Sequence, residues 1–254
     1  GDKQGAYDLY YRIIDIRRDQ PDQGSNLSVN LNNLAILLQE DGKLEEADAL
    51  FSEAVALVED IYGFEHPFMA YILNGYSGLH QDRGDYDLAE DNLRDALAIG
   101  QAIFPETHPF IGVVQHNLGE LFRIMENYSE AAGYYSLSLE QRKQSLPENH
   151  PDIATSLFSL GNTLILLEQP SEAEPILREA LQIRQSIYKD EDWRVALVKS
   201  GLGRALLQQQ NFDDAAQYIF PAHAILLESL GEENRHVIAS SKAIQQHQQN
   251  RSAQ

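Results

Sequence analysis

Residues 108–151 read HPFIGVVQHNLGELFRIMENYSEAAGYYSLSLEQRKQSLPENHP. The stretch opens and closes on one dipeptide, His108-Pro109 and His150-Pro151, 42 residues apart. His66-Pro67 stands another 42 residues upstream. Stepping by 42 in both directions sets six origins: Gly24, His66, His108, His150, Asp192 and Asn234. Proline at a first helical position is pre-organised, and its missing N–H costs nothing there. A first helix is therefore predicted from Pro109 to about Met125, and a second from about Tyr128 to Ser145. The second helices carry apolar residues at three- and four-residue steps, as in Leu50, Ala54, Leu57, Val58 and Ile61. Between the two helices lies a turn such as Asp41-Gly42-Lys43 or Arg83-Gly84-Asp85, where glycine supplies a left-handed cap. No stretch carries a strand pattern.

The register also holds inside each unit, without an insertion. Eleven residues past the origin stand Ala35, Ser77, Gly119, Gly161 and Gly203. Twenty-three past it stand Ala47, Ala89, Ala131, Ala173 and Ala215, and thirty past it Ala54, Ala96, Ser138, Ala180 and Ala222. Small residues at these phases let two helix axes approach to about 8 Å. Phe51, Leu93, Tyr135, Leu177 and Ile219 are expected to fill the seams between units. One unit cannot bury its apolar face alone, so neighbours must stack. The expected organisation is a single array over 1–254: a half-repeat at 5–20, repeats at 24–65, 66–107, 108–149, 150–191 and 192–233, and a capping helix with a polar tail at 234–254. The glutamine-rich stretch 245–254 reads as a frayed polar end.

Composition narrows the partners. The chain has 254 residues and is 43% hydrophobic, enough for a sizeable core. Acidic residues outnumber basic ones 39 to 19, for a net charge of −20. That field repels phosphate backbones and anionic lipid surfaces, so neither nucleic acid nor membrane is expected as a partner. There is no cysteine, which removes disulfides and thiolate chemistry but assigns no compartment. No apolar run approaches the roughly 18 residues of a membrane span.

The spacing Leu34-Ala35, Gly42, Leu44, Ala47, Phe51 and Ala54 resembles the tetratricopeptide consensus of leucine, small residue, glycine, aromatic, alanine, aromatic, alanine. The 42-residue period resembles that of kinesin light chain and its bacterial relatives. So do Asn32-Asn33-Leu34-Ala35, Glu172-Ala173-Glu174, Ala180-Leu181-Gln182-Ile183-Arg184 and the His-Pro between repeats. The resemblance covers about 5–250. It implies an all-α fold, a right-handed α-solenoid of antiparallel helix pairs with about five repeats and flanking half-repeats.

The resemblance further implies that the first helices line the concave, ligand-facing side. Ligand positions at 5, 8, 12, 15 and 16 past each origin then include Asn32, Ile36, Tyr71, Asn74, Gln81, His116, Arg123, Phe158, Asn162, Leu166 and Arg204. This mixture suits an extended peptide: the amides can donate to and accept from a peptide backbone, Phe158 and Leu166 can seat apolar side chains, and Arg123, Arg204 and Lys242 can meet a carboxylate. The competing account is that these side chains are solvated helix faces or helix-to-helix contacts. Relatives that clamp a terminal carboxylate use asparagine and basic residues at set positions. Twelve past the origin this chain has Ile36, Gly78, Glu120, Asn162 and Arg204, of which only Asn162 fits.

Other chemistry finds little support. His66, His108 and His150 lie on successive repeats, roughly 8–10 Å apart or more, too far to share one metal ion whose ligands sit about 2 Å away; they read as helix-start residues. Gly201-Leu202-Gly203 falls at packing phases and is not a phosphate cradle. Asp85, Asp87, Asp213 and Asp214 suit helix N-termini. Trp193 replaces the proline and is expected to cap the junction between the fourth and fifth repeats. No catalytic residue, metal or cofactor is expected. The expected function is a protein- or peptide-binding scaffold; the alternative is a structural or self-assembling module of a larger multidomain protein, in which the acidic exterior or the solenoid ends contact another copy or another domain.

Overall fold

A computed structural model describes residues 3–18 and 24–252. Among the described residues there are twelve α-helices and no strand. The chain divides into two compact units, Gly1–Leu121 and Phe122–Gln254. The first holds α1 (Lys3–Arg18), α2 (Gly24–Glu40), α3 (Leu44–Tyr62), α4 (Pro67–Arg83), α5 (Tyr86–Ile103) and most of α6 (Pro109–Ile124). The second holds the end of α6, then α7 (Tyr128–Ser145), α8 (Pro151–Leu166), α9 (Pro170–Ile187), α10 (Trp193–Gln208), α11 (Phe212–Leu230) and α12 (Arg235–Ser252). Within each unit helices pack on their neighbours in sequence, as α2 on α3 and α3 on α4, or α8 on α9 and α9 on α10. Alternate helices touch as well: α2 meets α4, and α10 meets both α8 and α12. This is an all-α repeat solenoid. Of the 5–20 half-repeat, α1 covers the part to Arg18; residues 19 and 20 lie outside the described ones.

Each origin residue from the second to the sixth is a helix cap. The Nδ1 atoms of His66, His108 and His150 accept hydrogen bonds from the backbone N–H two residues on, at 3.2, 3.3 and 3.2 Å. Asp192 and Asn234 do the same at 2.8 and 2.9 Å. The period therefore repeats a capping acceptor, which satisfies a backbone donor that has no partner inside the helix. Two of these imidazoles also stack on an aromatic ring from the preceding turn, His66 on Tyr62 and His108 on Phe104.

The turn inside each repeat is left-handed throughout, though glycine supplies it only twice. Gly42 and Gly84 have φ of +73° and +82°; Glu126, Glu168 and Gln210, at the same phase, have φ of +60°, +59° and +64°. The glycine expectation thus holds for two repeats of five. In the other three, the hydrogen bonds that close the turn hold a strained non-glycine residue. Asn127 N donates to Phe122 O at 2.8 Å, Gln169 N to Leu164 O at 2.9 Å, and Asn211 N to Leu206 O at 2.9 Å.

The small residues lie where the helices cross. All ten residues at phases twenty-three and thirty are fully buried, as are Phe51, Leu93, Tyr135, Leu177 and Ile219. An added Cβ at Gly161 would stand 2.6 Å from Leu177 Cγ, and one at Gly203 would stand 2.4 Å from Ile219 Cγ1. The phase-eleven residue thus leaves space for the large residue of the second helix.

Of the stretch 245–254, α12 takes in the residues to Ser252, and residues 253 and 254 lie outside the described ones. His247 anchors it, buried, with Nε2 2.9 Å from the carbonyl of Phe212 and its ring edge-on to Phe220. Trp193 opens α10 where proline opens its counterparts, but it packs on a cluster of Ala196, Ala222, Leu226 and Val237. It therefore seals α10 against α11 and α12.

Candidate peptide-binding faces

In the first unit, α2 and α4 build a cavity of about 300 Å³ lined by Ser28, Val29, Asn32, Asn33, Phe68, Tyr71 and Ile72. Tyr71 forms one wall, with its ring held at 4.6 Å edge-on to Phe110 and at 5.9 Å from Phe104; it is 42% exposed, so its free face meets solvent. Asn32 Oδ1 is shut off from water without a hydrogen-bond partner. It lies where a Cβ on Gly75 would be, 3.0 Å away. Ile36, half-buried, packs against the same glycine. Ser28, Asn33 and Phe68 are cavity residues that the expected phases passed over; they sit one residue, or one helical turn, from Val29, Asn32 and Tyr71.

Asn74 Oδ1 already accepts from Asn117 Nδ2 at 2.8 Å, a bond that ties α4 to α6. Gln81 and His116 are half-buried on α4 and α6. Gln39 donates to Asp82 at 2.7 Å, which closes α2 on α4 at the acidic end of this face. Behind the face, Asp48 of α3 accepts from the Tyr76 hydroxyl and pairs with Arg83 at 3.1 Å. Burial opposes ionisation of Asp48, but these two partners together outweigh it and hold its carboxyl below the usual range. His80 stacks on Tyr76 at 4.4 Å, and burial pushes its pKa down.

In the second unit, α8, α10 and α12 surround a cavity of about 350 Å³. Leu166 and Arg204 line it together with Ile165, Leu207, Lys242 and Gln246. Arg204 Nη1 donates to Asn162 Oδ1 at 3.1 Å, and Asn162 Nδ2 donates to the carbonyl of Phe158 at 2.9 Å. Asn162 therefore acts here as a bracket for Arg204. Burial alone lowers the pKa of Arg204, with no carboxylate acting on it. Phe158 is half-buried and faces His236 of α12 at 5.8 Å. Arg123 sits at the end of α6, where its carbonyl accepts from Glu126 in the left-handed turn. Gln208, Arg235, Ile238, Ala239 and Ala243 complete the lining. Arg235 and Ile238 stand one and four residues past the sixth origin, outside the expected ligand phases.

Two further arginines are structural. Arg142 is buried and donates to the carbonyl of Asp152 and to Ser156 Oγ, both at 2.9 Å. Arg184 donates to Thr155 Oγ1 at 2.8 Å, which occupies one expected ligand position from within the fold.

A family model described as tetratricopeptide repeat matches residues 26–102 and 107–186. No curated protein matches the chain. Among solved structures, BtubC (BKLC) from P. vanneervenii aligns with a TM-score of 0.78 at 20% identity, over 92% of this chain and 95% of that one. A putative kinesin light chain of P. anserina with nearly identical TPR-like repeats aligns with a TM-score of 0.70 at 21% identity, over 82% of this chain and 98% of that one. YrrB, described as a TPR protein with an unusual peptide-binding site, aligns with a TM-score of 0.56 at 17% identity, over 93% and 97%. At these identities the likeness is one of fold.

Proposed function

The chain belongs to the tetratricopeptide repeat family and is similar to its kinesin-light-chain-like members, and we propose that it is a scaffold whose first-helix faces hold an extended peptide segment of a partner protein. One observation carries this reading: in each unit a cavity opens on the face built by the first helices, α2 with α4 and α8 with α10 and α12. Each combines apolar walls with amide or guanidinium groups, the mixture that seats a side chain while leaving donors and acceptors for a backbone. The peptide-binding site of YrrB supports the same use of this fold. Selection from a random peptide library on the immobilised chain tests it. Tyr71→Ala or Leu166→Ala should lower capture of the selected peptides at least about fivefold, a loss of about 1 kcal/mol for a truncated anchor, while helicity stays unchanged. Peptides held equally well by both variants would sink the proposal.

A second reading rests on α1. Its outer face leaves Leu9 59% and Ile16 57% exposed, two turns apart on one side of the helix, an apolar patch that suits self-association. Light scattering over a concentration series, with Leu9→Ser/Ile16→Ser as comparison, tests it: a monomer at all concentrations would refute it.

A further inference from the structure

We propose that the cavity between α8, α10 and α12 receives a phosphorylated side chain of the bound segment. The proposal rests on the peptide-holding reading and assigns the chemistry of one of its subsites. Three cations, Arg204, Arg235 and Lys242, line this one cavity, and no aspartate or glutamate does. The chain has only 19 lysines and arginines against 39 acids, so such a cluster runs against the field of the whole molecule. Arg235 and Lys242 lie at exposed positions and Arg204 is half-buried, so the lining as a whole is electropositive and favours an anionic occupant.

Arg204 makes the strongest case. Its hydrogen-bond partner is the neutral amide of Asn162, although burial disfavours its charged form. A cation that loses part of its water is ordinarily compensated by a carboxylate; Arg204 is half-buried and has none acting on it. The cavity walls are aliphatic, with Ile165, Leu166, Leu207 and Ile238 beside the cations. An occupant that satisfies both halves carries its charge on an apolar stem.

The amount of charge separates the candidates. A carboxylate brings one negative charge and two acceptor oxygens. A phosphoryl group brings about −1.5 to −2 near neutral pH and three acceptor oxygens, enough for all three cations at once. Guanidinium groups match it with paired N–H donors, and an ammonium group adds a point charge. Arg235 is already turned towards His236, 3.3 Å from its Nε, which leaves Arg204 and Lys242 as the residues on which affinity should depend most.

The test uses the full chain and phenyl phosphate, followed by ligand-observed NMR at low salt. Benzoate, phenol and inorganic phosphate serve as comparators. Phenyl phosphate should bind at least about tenfold more tightly than benzoate, a factor in keeping with one or two additional charge-assisted hydrogen bonds, and at least about tenfold more tightly than inorganic phosphate, because its ring buries against the aliphatic walls. Lys242→Gln, at an exposed position, and Arg204→Gln should each weaken it at least about fivefold, with unchanged circular dichroism. Equal binding of benzoate would assign the cavity to a carboxylate and overturn the proposal. Equal binding of inorganic phosphate would show a general charge patch and overturn it as well, as would no binding at all. If library peptides are held while phenyl phosphate is not, the peptide reading stands and this one falls. If phenyl phosphate binds but no peptide does, the occupant is a free phosphate monoester, and both readings fall.

Discussion

Substituting alanine for glycine should have opposite signs at two helical positions of this chain. Gly203 and Gly133 both lie inside helices, α10 and α7. Helix propensity alone favours alanine by about 0.5–1 kcal/mol at either site. At Gly133 the new methyl group meets nothing within 4 Å, so that gain should appear in full. At Gly203 the methyl would stand 2.4 Å from Ile219 Cγ1, 3.1 Å from the carbonyl oxygen of Ala215 and 3.2 Å from Ile219 N. Carbon atoms in contact sit about 3.5–4 Å apart, so a separation of about 1 Å must open. Ile219 Cγ1 is the root of a fully buried side chain, and the other two atoms are backbone, so helix α11 itself must move. Overpacking of this kind costs about 1–3 kcal/mol, which outweighs the propensity gain. Gly203→Ala should therefore destabilise by about 1–2 kcal/mol while Gly133→Ala stabilises. Replacing Ile219 by alanine costs about 2–5 kcal/mol by itself, but in that background the further cost of Gly203→Ala should shrink, because the 2.4 Å contact is gone and only the backbone contacts at 3.1 and 3.2 Å remain. Urea unfolding followed by circular dichroism measures the totals. Native-state hydrogen exchange in α10 and α11 is needed beside it, because repeat arrays do not always unfold as one cooperative unit. Equal effects of Gly203→Ala and Gly133→Ala would refute the assignment of phase eleven as a crossing point.

Three further substitutions probe the remaining levels of the fold. Glu168→Gly should stabilise by about 0.5–1 kcal/mol, because glycine adopts the left-handed turn without the strain that glutamate bears; a loss in urea titration would show that the side chain matters more than its φ. His150→Ala should cost about 1 kcal/mol through a lost cap, whereas His150→Asn should retain it, since Asn234 fills the same phase; equal losses in thermal unfolding would contradict the capping role. Acid should weaken the first unit in two steps. The pKa of His80 is lowered in the fold, so the unfolded chain binds its proton first and stability falls as pH drops below about 6.5. Asp48 is also lowered, so its contribution is present above about pH 4 and disappears as pH falls through its folded value. His80→Phe should flatten the first step, and an unchanged pH profile would show that His80 does not couple to stability.

Most of the fold was legible because the repeat is rigid in phase. The His-Pro spacing located the caps, and the small residues located the crossings, since both are local requirements repeated without insertion. Glu126, Glu168 and Gln210 were not legible as left-handed residues: the tertiary closure of the turn overrides an intrinsic preference that only glycine advertises. His247 escaped for a similar reason, as an aromatic anchor in a stretch that composition alone marks as polar. The binding faces were legible in register but not in detail. Asn74 and Asn162 stand at the expected phases, yet Asn117 and Arg204 engage them, and which amide finds a neighbour depends on contacts between helices of successive repeats. Arg235 and Ile238 stand one and four residues past the sixth origin, outside the ligand phases, so the register carried no signal for them.

The central claim is that the first helices form the ligand face. Hydrogen exchange of the full chain, with and without a library-selected peptide, measures it most directly. The account predicts slowed exchange in α2 and α4, or in α8, α10 and α12, around Tyr71, Leu166 and Arg204, with α3, α5, α9 and α11 unchanged. Protection confined to those second helices would contradict it.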